Sequence, residues 1–173
     1  MKIVHFFLTL PLLALFSCGS TDTTTNPTTA NTTTTAKSNK TLTADLVDNQ
    51  QFLTLLAGDD MKFNAKEVIV KANIPITLTL KHTGKMPLTS MGHNVVILTA
   101  ETVVPDFANA ANAAKETDYI PADLKSSIIA HTKMLGGGET DQITFTFSTA
   151  GTYPYLCTFP GHSGMMKGKF IVE

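Results

Sequence analysis

The chain has 173 residues, a formal net charge of −1, and 13 basic residues that are all lysine. Near-neutral charge without arginine argues against nucleic-acid binding, which needs a basic stripe. Once the N-terminal region is set aside, about 130 residues remain, enough for one domain with a real hydrophobic core.

The N-terminus opens with Met1-Lys2 and an apolar run over 3–16. That is a short charged region followed by a signal-peptide-length apolar segment, too short for a comfortable transmembrane helix. The run ends in Leu15-Phe-Ser-Cys18, which resembles a bacterial lipobox, so residues 1–17 read as a lipoprotein-type signal peptide and Cys18 as the lipidated residue. Residues 18–41 then form a threonine-rich stretch without large apolar side chains. Such a segment cannot offset its ordering entropy by burial and reads as a flexible tether with a reach of roughly 25 Å.

The folded domain is expected over 42–173. Strand signals follow at 68–70 and at 74–80, where Ile74, Ile76, Leu78 and Leu80 alternate at period two. A short apolar run covers 94–98, clean alternation covers 143–147, and a turn at 148–151 leads into a strand over 151–157. A last strand spans 169–172. Short strands separated by Gly, Pro, Asn and Asp predict an all-β antiparallel sandwich. One segment breaks the pattern: the alanine-rich run 108–115 predicts an inserted helix over about 105–120, ended before Pro121.

The chemistry concentrates in Tyr155-Leu-Cys-Thr-Phe-Pro-Gly-His-Ser-Gly-Met-Met166. Cys157, His162 and Met166 place a thiolate, an imidazole and a thioether within ten residues. His93, in Met91-Gly-His-Asn-Val-Val, supplies a second imidazole from another loop. A trigonal His₂Cys set with a weak axial thioether suits copper and defines a type 1, or blue, electron-transfer site. Met165 stands beside Met166, and neighbours on an extended chain point opposite ways, so only one of them faces the metal; spacing does not choose between them. If Cys18 carries lipid and Cys157 metal, no cysteine remains for a disulfide.

The segment Cys157-Thr-Phe-Pro-Gly-His-Ser-Gly-Met-Met-Lys-Gly168 resembles the ligand loop of the azurins, in the cupredoxin family. Met91-Gly-His-Asn94, Ile129-Ala-His-Thr-Lys133 and Gly136-Gly-Gly-Glu139 resemble other azurin segments, and the likeness runs from about Thr43 to Glu173. It implies a cupredoxin Greek-key β-sandwich holding one copper ion that cycles between Cu(I) and Cu(II). The implied ligands are His93, Cys157 and His162, with Met166 axial and the Gly92 carbonyl as a weak fifth. It also implies that Asn94 ties the two ligand loops together through Thr158, and that the N–H groups of Asn94 and Phe159 donate to the Cys157 sulfur. His82 falls where azurins have a partly buried histidine, although a structural strand histidine reads equally well; His131 reads as a surface residue. The azurin N-terminal disulfide is absent, and Val95 stands in place of a buried tryptophan.

The same resemblance implies that electrons pass through the edge of His162, ringed by an apolar docking patch of Met86, Met91, Phe159, Pro160, Gly161 and Met165. The expected role is one-electron transfer, without catalysis on a substrate, between transient redox partners such as cytochromes, oxidases or reductases. The setting is a lipid-anchored position in the bacterial cell envelope, periplasmic or on the outer surface. A rival reading is a copper-storage or delivery lipoprotein with Met86, Met91, Met134 and Met165 as auxiliary sites. A more remote one is a structural zinc site in an adhesion domain.

Overall fold

The structure is a computed structural model that describes residues 41–173. The expected signal peptide, Cys18 and the tether up to residue 40 lie outside the described residues. The chain forms β1 (Thr41–Thr43), β2 (Asp45–Val47), β3 (Gln50–Gly58), β4 (Lys62–Phe63), β5 (Glu67–Val70) and β6 (Ile76–His82). A one-turn helix α1 (Leu88–Met91), β7 (Val96–Leu98) and α2 (Val104–Ala113) follow. After 3-10 turns at Lys115–Thr117 and Ala122–Ser127 come β8 (Ile128–His131), β9 (Thr140–Phe145), β10 (Gly151–Leu156) and β11 (Lys167–Val172).

These strands make two sheets. One has six strands in the order β1-β5-β11-β10-β7-β8; the other runs β2-β3-β6-β9 with β4 on the edge of β3. Most pairings are antiparallel, but β3 with β6, β11 with β5, and β1 with β5 are parallel. The expected all-β sandwich is therefore present, with β3 and β6 at the centre of one face and β10 and β11 at the centre of the other.

The space between the sheets is filled by Leu55, Val68, Leu78, Leu80, Ile97, Tyr155 and Phe170, all without solvent exposure. Each such side chain contributes about 1.5–3 kcal/mol of apolar transfer free energy. Aromatic rings at edge-to-face angles extend this core: Phe145 on Phe147 and Phe170, and Tyr155 on Phe63 and Phe170. The Tyr155 hydroxyl donates to the Ala65 carbonyl at 2.7 Å, so the ring enters the core without an orphaned polar atom.

The helix explains the continuous apolar run at 95–98. Val96, Leu98 and Leu156 face a second, smaller core made with Phe107, Ala108 and Ala111 of α2 and with Ile120. Val95, Ile97, Tyr155 and Cys157 face the sandwich interior. Strands covered on both faces lose the polar alternation that one-sided strands show.

Several boundaries differ from the sequence reading. The helix is shorter than 105–120: it ends at Ala113, and Asp118 and Tyr119 adopt left-handed backbone conformations that turn the chain so Ile120 and Pro121 can bury. The strand expected from residue 74 starts at Ile76, because Pro75 has no N–H for the ladder and offers only its carbonyl, which accepts from the Gln51 N–H at 2.8 Å. The strand expected over 143–147 runs from Thr140 to Phe145. Strands β1, β2, β3, β4 and β8 and the turn of helix α1 were not anticipated, the nine-residue β3 being the longest of them.

Candidate metal centre

Three segments converge at one end of the sandwich. Cys157 follows the last residue of β10, and the loop after it folds back so that the Cys157 N–H donates to the Met166 carbonyl at 2.9 Å. Inside the loop the N–H of His162 donates to the Phe159 carbonyl, and those of Met165 and Met166 donate to the His162 carbonyl. This tight turn sets His162 between the two ends of the loop. His93 lies just before β7 and is fixed by an isolated bridge to Leu135, with backbone bonds of 3.0 and 2.8 Å.

The result is a cluster in which one ligand atom each from His93, Cys157 and His162 lies within 4.8 Å of the others, all three residues buried. Cys157 Sγ is 3.7 Å from His162 Nδ1 and 3.8 Å from the Gly92 carbonyl oxygen, toward which the thiol donates. The His93 ring is oriented by its far nitrogen: Nε2–H donates to the Gly58 carbonyl at 2.9 Å, at the end of β3. Its Nδ1 is buried with no hydrogen-bond partner among the described residues. An unpaired buried acceptor costs about 1–3 kcal/mol, so an orphan aimed at a thiol and a second imidazole marks a ligand position rather than packing.

Electrostatics agree. Burial, with smaller effects from neighbouring histidines, depresses the His93 pKa to about 4. Burial, followed by the field of His82, also lowers that of His162. Both rings are therefore held neutral, as metal ligands must be. Burial pushes the Cys157 thiol up to about 11, and the N–H groups of Asn94 and Phe159 pointing at the sulfur work against that rise. Buried imidazole and thiol donors with a free lone pair between them fit a soft, borderline metal such as copper.

Around this cluster the two loops are joined by Asn94. Its side-chain amide donates to Thr158 Oγ1 at 2.8 Å, and its carbonyl oxygen accepts from the Thr158 N–H at 2.8 Å. Met166 is fully buried in the core that holds Cys157, whereas Met165 is 49% exposed. Gly92 is packed under Phe159 and Met134, where a Cβ would approach Phe159 Cδ2 to 2.8 Å and the Leu88 carbonyl to 2.8 Å. Only glycine fits there with the carbonyl aimed at the sulfur. Met134 itself is buried, which removes it from the exposed methionines that a copper-delivery surface would use.

His82 is not brought into the ligand cluster. It is fully buried on β6, its Nε2–H donates to the Met91 carbonyl at 2.8 Å, and its Nδ1 accepts from the Gly84 N–H at 3.1 Å. Its ring stacks on His93 at 4.4 Å, so it is a satisfied structural histidine that backs the site. His131 is exposed at the end of β8. Of the remaining docking residues, Met86 is 42% exposed, Pro160 and Gly161 are exposed, and Met91 and Phe159 are half-buried; Leu88, 41% exposed on α1, joins them and was not anticipated. Sequence reasoning also missed Gly58 and Asp59. The Gly58 carbonyl orients His93, and the Asp59 carboxylate accepts from the N–H groups of Lys85 and Met86, which holds it below the usual carboxylate range. A carbonyl role leaves no trace in residue type.

A two-sheet sandwich with a buried His-Cys-His cluster between two loops at one end defines a cupredoxin-type copper protein, and the donor set accommodates one copper ion. The comparisons agree: the family described as copper binding proteins, plastocyanin/azurin family, matches residues 50–173. This chain belongs to that family. Azurin of Alcaligenes faecalis is 39% identical over 120 residues, covering 67% of this chain and 93% of that protein. Outer membrane protein H.8 of Neisseria gonorrhoeae is 44% identical over 119 residues, covering 67% of this chain but only 64% of that longer relative. Among solved structures, dithionite-reduced auracyanin from Roseiflexus castenholzii superposes with a TM-score of 0.62 at 37% identity, covering 70% of this chain and 96% of that one. An azurin from Methylomonas sp. strain J gives 0.63 at 32% identity, covering 70% and 97%.

Proposed function

We propose that this protein is a one-electron carrier whose copper would be held by His93, Cys157 and His162, with the Met166 thioether and the Gly92 carbonyl as weaker donors. The single observation that carries the assignment is the buried, unpartnered Nδ1 of His93 facing the Cys157–His162 pair. The burial of Met166 against the exposure of Met165 supports the choice between those two neighbours. Copper supplies a reversible Cu(I)/Cu(II) couple. The chain's own contribution is rigidity: Gly58 fixes His93, the Asn94–Thr158 pair locks the loops, and the N–H groups of Asn94 and Phe159 tune the sulfur.

Of the side chains His93, Cys157, His162 and Met166, His162 alone retains exposure, 4%, and Pro160, Gly161, Met165 and Met86 are exposed. That supports His162 as the route for electrons. Flexible methionines and a small apolar rim suit brief docking to redox proteins such as cytochromes, oxidases or reductases. The likeness to outer membrane protein H.8 and the lipobox-like Leu15-Phe-Ser-Cys18 support a lipid anchor at Cys18 and an envelope location. Catalysis on a substrate forms no part of this reading.

The test is visible and electron paramagnetic resonance spectroscopy of the protein before and after one equivalent of Cu(II). An intense thiolate-to-copper band in the red is expected, bleached by ascorbate and restored by ferricyanide. A protein that stays colourless sinks the proposal, and stable uptake of several copper ions per chain favours storage or delivery instead.

A further inference from the structure

We propose that Tyr119 is a positioning residue for the electron-transfer edge: its ring clamps Phe159 against His162 and fixes the imidazole through which electrons pass. The inference rests on the electron-carrier reading above and adds a residue outside both ligand loops.

Three rings form a continuous stack from the inserted segment to the metal centre. Tyr119 meets Phe159 edge to face with centroids 5.7 Å apart. Phe159 in turn lies 4.7 Å from the His162 ring, tilted by 41°. Phe159 also packs against Gly92, where even a methyl group would come within 2.8 Å of its Cδ2. Phe159 is thus held between the other ligand loop, His162 and Tyr119, and its own carbonyl accepts the His162 N–H at 3.0 Å.

The backbone that delivers Tyr119 is unusual. Asp118 and Tyr119 have φ of 52° and 61°, a left-handed pair without glycine. A bulky residue in that region stores strain and persists only where its surroundings over-determine it. They do so here: the Tyr119 N–H donates to the Ala114 carbonyl at 2.9 Å, and the Thr117 hydroxyl bonds the carbonyls of Ala114 and Ile120 on either side. Ile120 and Pro121 are buried immediately beyond. A turn built only to reverse the chain would be met more cheaply by glycine or asparagine at this position. Tyrosine instead occupies this strained position, from which its ring reaches the ligand loop.

The test compares Tyr119→Asn, which suits the left-handed backbone but has no aromatic ring, with Tyr119→Phe, which keeps the ring. In the metal-free full chain, proton NMR reads the contact between the Phe159 and His162 rings directly. The Asn variant is expected to lose these cross-peaks while the rest of the spectrum stays dispersed, and the Phe variant to keep them. In the copper-loaded proteins, electron self-exchange should slow in the Asn variant and be restored in the Phe variant. Unchanged cross-peaks in Tyr119→Asn would overturn the clamp, as would lost cross-peaks with unchanged self-exchange. A wild-type protein that fails to turn blue would defeat the carrier reading alone, because the metal-free NMR result decides the clamp separately.

Discussion

Replacing Asn94 by alanine tests whether the two metal-bearing loops are held together before any metal arrives. The side chain is 1% exposed and its partner Thr158 is 2% exposed, so neither can turn to water when the other is lost. Both bonds measure 2.8 Å, one accepted from the Thr158 N–H and one donated to its hydroxyl. Alanine removes both, leaves the Thr158 N–H buried without a partner at about 1–3 kcal/mol, and adds a small void where the amide stood. Together these give a loss of about 3 kcal/mol. For a domain of about 130 residues, an unfolding entropy near 2.1 cal/mol/K per residue converts this to a drop of about 10 °C in Tm. Thermal unfolding of metal-free protein followed by circular dichroism is the assay, since bound copper would mask the tie. Thr158→Val keeps the N–H bond to Asn94 and should cost about half as much. An Asn94→Ala variant that melts within about 3 °C of wild type would refute the reasoning, as would one no worse than Thr158→Val.

Further predictions concern acid stability and packing. His93 has its pKa lowered to about 4 by burial, whereas an unfolded histidine titrates near 6.5. Between those values the unfolded chain binds the extra proton, so metal-free protein loses about 3 kcal/mol on acidification from pH 6.5 to 4, with the stabilisation fully present above 6.5. Urea unfolding across this range should show that slope in wild type and a shallower one in His93→Gln; parallel slopes would contradict it. Gly168 lies under the Tyr155 ring, where an added Cβ would sit 2.5 Å from Cζ and 2.6 Å from the Lys66 carbonyl. Gly168→Ala should therefore destabilise by about 2–3 kcal/mol, read as a lower urea midpoint with an unchanged slope.

The sequence made some features visible because they depend on residue type. Thiol and imidazole at fixed spacing pointed to the cluster of His93, Cys157 and His162, and the period-two runs around Leu78 and Ile143 declared strands. Other features were hidden for identifiable reasons. β3 escaped because Phe52 and Leu56 fall on its outward-facing positions, Phe52 remaining 39% exposed, so the alternation of Leu53, Leu55 and Ala57 is blurred. The helix was drawn too long because alanine propensity continues to Ala114, while the tertiary need to bury Ile120 and Pro121 ends it earlier. The orientation of His93 was illegible for a deeper reason: it is set by the backbone carbonyl of Gly58, and any residue supplies a carbonyl.

That division bears on how the site reaches its geometry. The atoms that would touch copper are specified locally, by side chains within two short segments. The directions in which they point are specified remotely, by β3 through Gly58, by β8 and its following loop through Leu135, and by the inserted turn through Tyr119. Each of these supports belongs to a different part of the sandwich, so no single loop movement can release the cluster. Both imidazoles stay neutral and the orphaned Nδ1 of His93 stays aimed inward even when the thiol is protonated. An electron carrier works best when its ligands need not rearrange between oxidation states. In this protein the sandwich, rather than the metal, supplies that constancy.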